Sequence, residues 1–254
     1  MKRKSKERRF PNRRGRLSRL RNAAASRGKR PFLRPRIVGV IASRADLERA
    51  VRIRRAPDLF ELRLDRLADI ADWVQEVLPK LRRPLIITAR DPREGGANKL
   101  RLRQRRGLLA RFLNHADYID VELGLAPALR PLLDLAEKRR VRRIISFHDF
   151  KSTPSVRMLA AKAREARTHA ADVFKVATRT DTPIQLRRLL EFTTSNRLDF
   201  GLAVMGIGKL GAISRVLLAR AGSVLIYASV STVSDVEGQL SLEQLRDLGF
   251  ASRR

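Results

Sequence analysis

From Ile37 onward the sequence alternates eight times between a short apolar or β-branched run and a stretch with helical period. The runs are Ile37–Ser43, Leu59–Asp65, Pro84–Arg90, Tyr118–Leu123, Arg143–Phe150, Asp172–Thr178, Phe200–Gly206 and Ser223–Ser229. Between and after them lie Ala45–Ala56, Leu67–Leu81, Leu100–His115, Pro127–Arg140, Ser155–Ala170, Pro183–Asn196, Gly211–Ala221 and Leu240–Leu248. Parallel strands need crossover connections, so strict alternation implies a parallel sheet with helices outside it. Eight such units in about 215 residues point to a closed (β/α)8 barrel, an α/β fold at the compact end of its size range. An open doubly wound sheet is the alternative. It lacks support, because no Gly-x-Gly-x-x-Gly follows the first run; Met205-Gly206-Ile207-Gly208 comes late and with the wrong spacing. In Leu100–His115, Leu102, Leu109 and Leu113 fall near one face and the arginines mostly on others, the pattern of an outer helix.

The 254 residues contain 56 Lys+Arg against 26 Asp+Glu, a net charge of +30, and no cysteine. Disulfide frameworks, thiolate zinc sites and thiol nucleophiles are therefore excluded. No apolar run reaches the roughly 18 residues that cross a bilayer, and no apolar stretch of signal-peptide type follows the basic start. The expectation is a soluble, cytoplasmic protein without membrane contact. Half of the net charge sits in residues 1–36, which hold 16 Lys+Arg and one acid, Glu7. That segment has no sustained apolar period and is punctuated by Pro11, Pro31 and Pro35. We expect a basic, mostly disordered arm over 1–36, with a short helix near Leu17–Ala25, ahead of a barrel domain over 37–254. A tether to nucleic acid, a transit peptide and an unselected extension all fit the arm. Nonspecific nucleic-acid contact would follow from charge alone. A homodimer is left open.

In a barrel of this kind, chemistry belongs at the C-terminal strand ends. Polar residues interrupt the apolar runs there: Glu61 and Arg63, then Thr88 and Arg90 leading to Glu94-Gly95-Gly96, then Asp120 and Glu122, Ser146 and His148, and Lys175. Arg215 follows the seventh run, and Gly238-Gln239 follows the eighth. Singly, most have an ordinary structural reading. Glu61 and Arg63 can be an ion pair, and a lone histidine is often just a hydrogen-bonded core residue. Lys175 is different. Between Phe174 and Val176 in a central strand, its ammonium must either pair with a carboxylate such as Glu122 or be held neutral. A desolvated lysine near other cations is what imine formation with a carbonyl requires. With a histidine for proton transfer, a carboxylate to orient it and arginines for an anion, the set suggests imine catalysis on a small anionic keto compound. Only three histidines exist (His115, His148, His169) and no metal-ligand cluster is evident. The reading calls for neither cofactor nor metal.

The successive strand motifs Glu61-Leu62-Arg63-Leu64-Asp65, Thr88-Ala89-Arg90 with Glu94-Gly95-Gly96, Asp120-Val121-Glu122-Leu123, Ser146-Phe147-His148-Asp149-Phe150, Lys175-Val176-Ala177, Met205-Gly206 with Gly211 and Ser214-Arg215, and Gly238-Gln239 resemble those of type I 3-dehydroquinate dehydratases. The resemblance spans residues 37–248, leaving the arm without a counterpart. It implies a shikimate-pathway hydro-lyase that converts 3-dehydroquinate to 3-dehydroshikimate through an imine on Lys175. His148 would be general base and acid, and Glu94 would orient it. Arg215 and Gln239 would hold the substrate carboxylate, Glu61, Arg63 and Arg90 its hydroxyls, and Glu122 would sit near Lys175. The sequence departs from the family in the last loop. Where the family usually reads Ser-Ala-Pro-Gly-Gln, this chain reads Asp235-Val236-Glu237-Gly238-Gln239. Two acids there would repel an anionic ligand. Another imine-forming barrel lyase, such as an aldolase, and a catalytically impaired barrel that binds through its arm are the alternatives.

Overall fold

Residues 34–252, apart from 196–197 and 233–235, are described by the computed structural model of the chain. Most of the expected arm and Asp235 therefore lie outside the described residues. The eight apolar runs form strands β1 (Arg36–Ile41), β2 (Leu59–Arg63), β3 (Leu85–Thr88), β4 (Tyr118–Glu122), β5 (Arg142–Asp149), β6 (Val173–Arg179), β7 (Gly201–Ile207) and β8 (Leu225–Ser229). They make one parallel sheet ordered β7-β6-β5-β4-β3-β2-β1-β8. Val224 N, just ahead of β8, donates to Leu202 O in β7 at 2.7 Å and bridges the remaining seam. The result is a (β/α)8 barrel, and the open-sheet alternative falls because the β8 end, paired with β1 on one side, also bonds to β7 on the other and closes the sheet.

Period-two alternation sorts each strand's side chains. Val38, Leu59, Ile86, Tyr118, Ile144, Val173 and Leu225 point into the barrel and pack together near its base. Their neighbours Ile37, Phe60, Leu62, Ile87, Ile119, Ile145 and Phe174 point outward into the larger core beneath the helices. Those helices are α1 (Arg44–Arg52), α2 (Ala71–Val77), α3 (Leu102–Phe112), α4 (Arg130–Lys138), α5 (Val156–Thr168), α6 (Pro183–Ser195), α7 (Gly211–Ala221) and α8 (Leu242–Asp247). Ser43 caps α1 by accepting from Asp46 N at 3.1 Å, and Ser241 caps α8 with Gln244 completing a reciprocal box.

One helical expectation needs correction, and one arginine departs from the pattern of its helix. The stretch Leu67–Leu81 is not one helix: 3-10 turns at Ala68–Ile70 and Leu78–Lys80 flank α2, and Pro79 prevents continuation of the α-helical ladder. In α3 one arginine does not face solvent. Arg105 lies on the inner stripe with Leu102, Leu109 and Phe112, and is 2% exposed.

Candidate active site

The inward positions above the apolar base are polar, and they surround a cavity of about 340 Å³ at the C-terminal mouth. Larger hollows lie elsewhere, including one of about 520 Å³ lined by residues of α1 and α8, but they hold no comparable set of lysine, imidazole and carboxylates. The cavity is lined by Glu61, Arg63, Arg90, Glu94, His148, Lys175, Arg215 and Gln239, so every site residue expected from the sequence reaches it. It also has an apolar wall of Ala177, Met205 and Ile207.

Lys175 is buried inside β6, and its charge is matched. Nζ donates to Asp120 Oδ2 at 2.9 Å and to Glu61 Oε1 at 3.2 Å, and it lies 4.1 Å from the ring centroid of Tyr227. The expected partner Glu122 is not among these. Glu122 accepts from Asp91 N at 2.7 Å, Arg90 at 3.3 Å and Arg105 at 3.4 Å. Barrel geometry explains the exchange. Through Ser146, Glu122 and Lys175 share a hydrogen-bonded register. Tilted strands, however, stagger by about one residue per strand, so a side chain two strands away faces the inward residue one step lower. That residue is Asp120.

Arg90 knits the floor together. Nη2 donates to Asp120 at 2.8 Å, and Nη1 donates to Ser146 Oγ at 2.6 Å. Burial opposes ionisation of Asp120, but Arg90 and Lys175 outweigh it and hold the carboxyl well below its ordinary range. Arg63 is braced by Asp65 at 3.0 and 2.8 Å and donates to Gly95 O at 3.1 Å. Sequence reasoning missed Arg105, which reaches in from α3 to bond Asp91 Oδ2 at 2.8 Å and Ala89 O at 3.2 Å. The signal was present: position 105 continues the i, i+3, i+4 stripe of the buried leucines.

His148, on β5, and Glu94, in the 3-10 turn Pro92–Glu94, form the second functional unit. Glu94 Oε2 accepts from His148 backbone N at 3.1 Å and lies 2.9 Å from Nδ1. An Nδ1–H tautomer satisfies this contact and leaves Nε2 unprotonated. The turn is set by Asp91, whose side chain caps it by accepting from Arg93 N at 2.8 Å. Gly95 leaves the turn at φ +83°, where a Cβ would come within 2.6 Å of the Phe150 ring. Burial, reinforced by Arg90 and Lys175, pushes the His148 pKa well below 6.5, so the imidazole is neutral at pH 7. Burial raises Glu94 to about 7, with Arg90 opposing and Glu122 assisting.

Arg215 carries a different signal. It is 3% exposed, yet it bonds only neutral atoms: Gly238 O at 3.1 Å, Met205 Sδ at 3.4 Å and Tyr227 O at 3.4 Å. Among the described residues it has no carboxylate partner, and burial pulls its pKa down to about 10. A buried guanidinium without a counter-charge, aimed at a cavity, is prepared for an anion. Gln239 follows Gly238, whose carbonyl Arg215 bonds, and lines the same cavity, its backbone N donating to Val236 O at 3.0 Å. Glu237, which was expected to face the bound anion, lines the cavity and is paired with Arg179 at 2.9 Å.

Tyr227 was also missed. Its hydroxyl is buried with no hydrogen-bond partner among the described residues, and burial with Glu61 and Asp120 nearby keeps its pKa well above 10. Since an unpaired buried hydroxyl costs about 1–3 kcal/mol, Tyr227→Phe should raise unfolding stability by about 1 kcal/mol in denaturant titration. A loss of similar size would show that the hydroxyl is satisfied. No group of three or more His, Asp or Glu among the described residues is arranged to hold a metal ion, and none of the described helices is long and apolar enough to cross a membrane.

Comparison with known proteins gives a consistent picture. The family model of type I 3-dehydroquinase matches residues 39–253. A 3-dehydroquinate dehydratase from Thermodesulfovibrio yellowstonii is 31% identical over 196 residues, covering 75% of this chain and 84% of that protein. One from Geobacillus sp. (strain WCH70) is 30% identical over 237 residues, covering 87% and 90%. The crystal structure of 3-dehydroquinate dehydratase from Geobacillus kaustophilus HTA426 superposes with a TM-score of 0.75 at 28% identity, covering 84% of this chain and 89% of that one.

Proposed function

The chain belongs to the type I 3-dehydroquinase family, and from that premise we propose how its own residues dehydrate 3-dehydroquinate to 3-dehydroshikimate. The Lys175 ammonium first gives up one proton, Nζ adds to the C3 ketone, and that proton returns to the carbinolamine hydroxyl, which leaves as water and yields the protonated imine. Its positive nitrogen draws electrons from C2, so His148 Nε2 can take the C2 proton and an enamine forms. The enamine then expels the C1 hydroxyl, which leaves as water with the proton that His148 returns. Hydrolysis of the product imine frees Lys175.

Glu94 holds the imidazole through Nδ1, so that Nε2 is the atom that moves the proton. Arg215, with Gln239, takes the substrate carboxylate. Glu61, Arg63 and Arg90 hold the ring hydroxyls, although the same groups already brace Lys175, Asp65 and Asp120 in the free protein. They are therefore preorganised and need little rearrangement on binding. The observation that carries this reading is the meeting, around one cavity, of a buried lysine, a neutral imidazole oriented by a carboxylate, and a guanidinium that lacks a counter-charge among the described residues. Neither carbon–carbon cleavage nor a binding-only barrel has comparable support.

On the partner side, the net +15 of residues 1–36 supports nonspecific contact with nucleic acid. Exposed Met158, Ile184 and Ile213 on the successive helices α5, α6 and α7 support a homodimer. The direct test of function is an ultraviolet assay for the conjugated enoate product. The purified protein should generate it from 3-dehydroquinate without added metal or cofactor. Carbon–carbon cleavage, with no enoate formed, would overturn the assignment.

A further inference from the structure

The segment Val236–Gln239 after β8 supplies Val236, Glu237 and Gln239 to the cavity wall. On one side its backbone is docked onto the turn between β7 and α7. Gly208 N donates to Glu237 O at 3.2 Å, and Arg215 Nε donates to Gly238 O at 3.1 Å. Gly238 sits at φ +76°, with room only for hydrogen: a Cβ would come within 2.6 Å of Gly211 Cα. On the other side the attachment is electrostatic. Glu237 Oε2 pairs with Arg179 Nη1 at 2.9 Å, and Arg179 ends β6, the strand that carries Lys175. Arg179 is itself braced, because its Nε donates to Asp181 Oδ2 at 2.6 Å. Asp181 in turn accepts from Lys209 N at 2.9 Å, which ties the guanidinium back to the β7 turn.

We propose that Arg179 and Glu237 are a positioning pair that clasps Val236–Gln239 across the cavity mouth and so keeps Gln239 beside Arg215 for the substrate carboxylate. The proposal rests on the reading that this cavity takes dehydroquinate. It reverses the sign that charge alone gives to Glu237. As an acid near a bound anion, Glu237 should weaken binding, and its removal should tighten it. As half of a clasp, it preorders a segment that otherwise must be ordered on binding, and its removal should weaken binding. The two side chains are 30% and 53% exposed, so the effect is modest.

Glu237→Gln, which keeps shape and removes charge, should raise KM about threefold to fivefold and leave kcat within about twofold, because the contact is made in both ground and transition states. Arg179→Ala should do the same, and the double variant should be no worse than the worse single one. Amide hydrogen exchange at Gly208 and Gln239 in the free protein should quicken in either variant, a readout independent of turnover. A fall in KM for Glu237→Gln, additive losses in the double variant, or unchanged exchange would each overturn the clasp. Faster exchange in a protein that does not turn over dehydroquinate would uphold the clasp and remove the substrate assignment instead.

Discussion

Lys175→Arg should fold like the parent protein and lose at least about 10⁴-fold in kcat, the scale seen when a covalent nucleophile is removed. Arginine keeps a positive charge for Asp120 and Glu61 and over the Tyr227 ring, but its guanidinium stays protonated and cannot add to a ketone. The substitution therefore separates chemistry from electrostatics. Lys175→Ala does not, since two buried carboxylates would lose their shared partner at a cost of about 3–5 kcal/mol of stability. Comparing the two by product absorbance and denaturant unfolding should show equal inactivity and unequal stability. An arginine variant that retained a few per cent of turnover would show that the lysine acts only as a charge.

His148→Ala should lower kcat about 10²- to 10⁴-fold while still allowing slow imine formation, because proton transfer and nucleophilic attack belong to different side chains. Glu94→Gln should cost less, since Glu94 orients the base and does not itself carry the proton. The pH dependence distinguishes their roles. His148 is held well below 6.5 and is neutral throughout the working range, whereas Glu94 is raised to about 7. Activity needs Glu94 ionised, so that it accepts from Nδ1–H. A carboxyl with a raised pKa keeps its proton up to about pH 7, so kcat/KM should climb with pH and level off above that value, the two groups titrating as a pair. In Glu94→Gln the limb near pH 7 should disappear. Its persistence would assign the titration to another group.

How much of this could be read from residues alone follows from what each feature depends on. The barrel was legible because strand and helix periods differ and alternate without exception, and every strand end lies within two residues of its expected place. Lys175 was legible because an ammonium between Phe174 and Val176 has nowhere to go but a site. Its partner was not, since choosing Asp120 over Glu122 depends on stagger between strands two apart, which no local pattern encodes. Arg105 was hidden among the chain's many arginines, although its helical spacing marks it as inward-facing. That Glu237 belongs to the mouth was legible, and its pairing was not. Its partner Arg179 is 58 residues away in sequence, and the pairing arises only when the β6 and β8 ends meet at the barrel mouth.

The central claim is that Lys175 forms the imine, and borohydride trapping tests it most directly. Reduction in the presence of 3-dehydroquinate or its dehydration product should inactivate the protein and add one ligand skeleton to the peptide containing Lys175. Lys175→Arg should remain unlabelled, and His148→Ala should still be labelled. An adduct on any other lysine, or no adduct in a sample that is turning over substrate, would contradict the account.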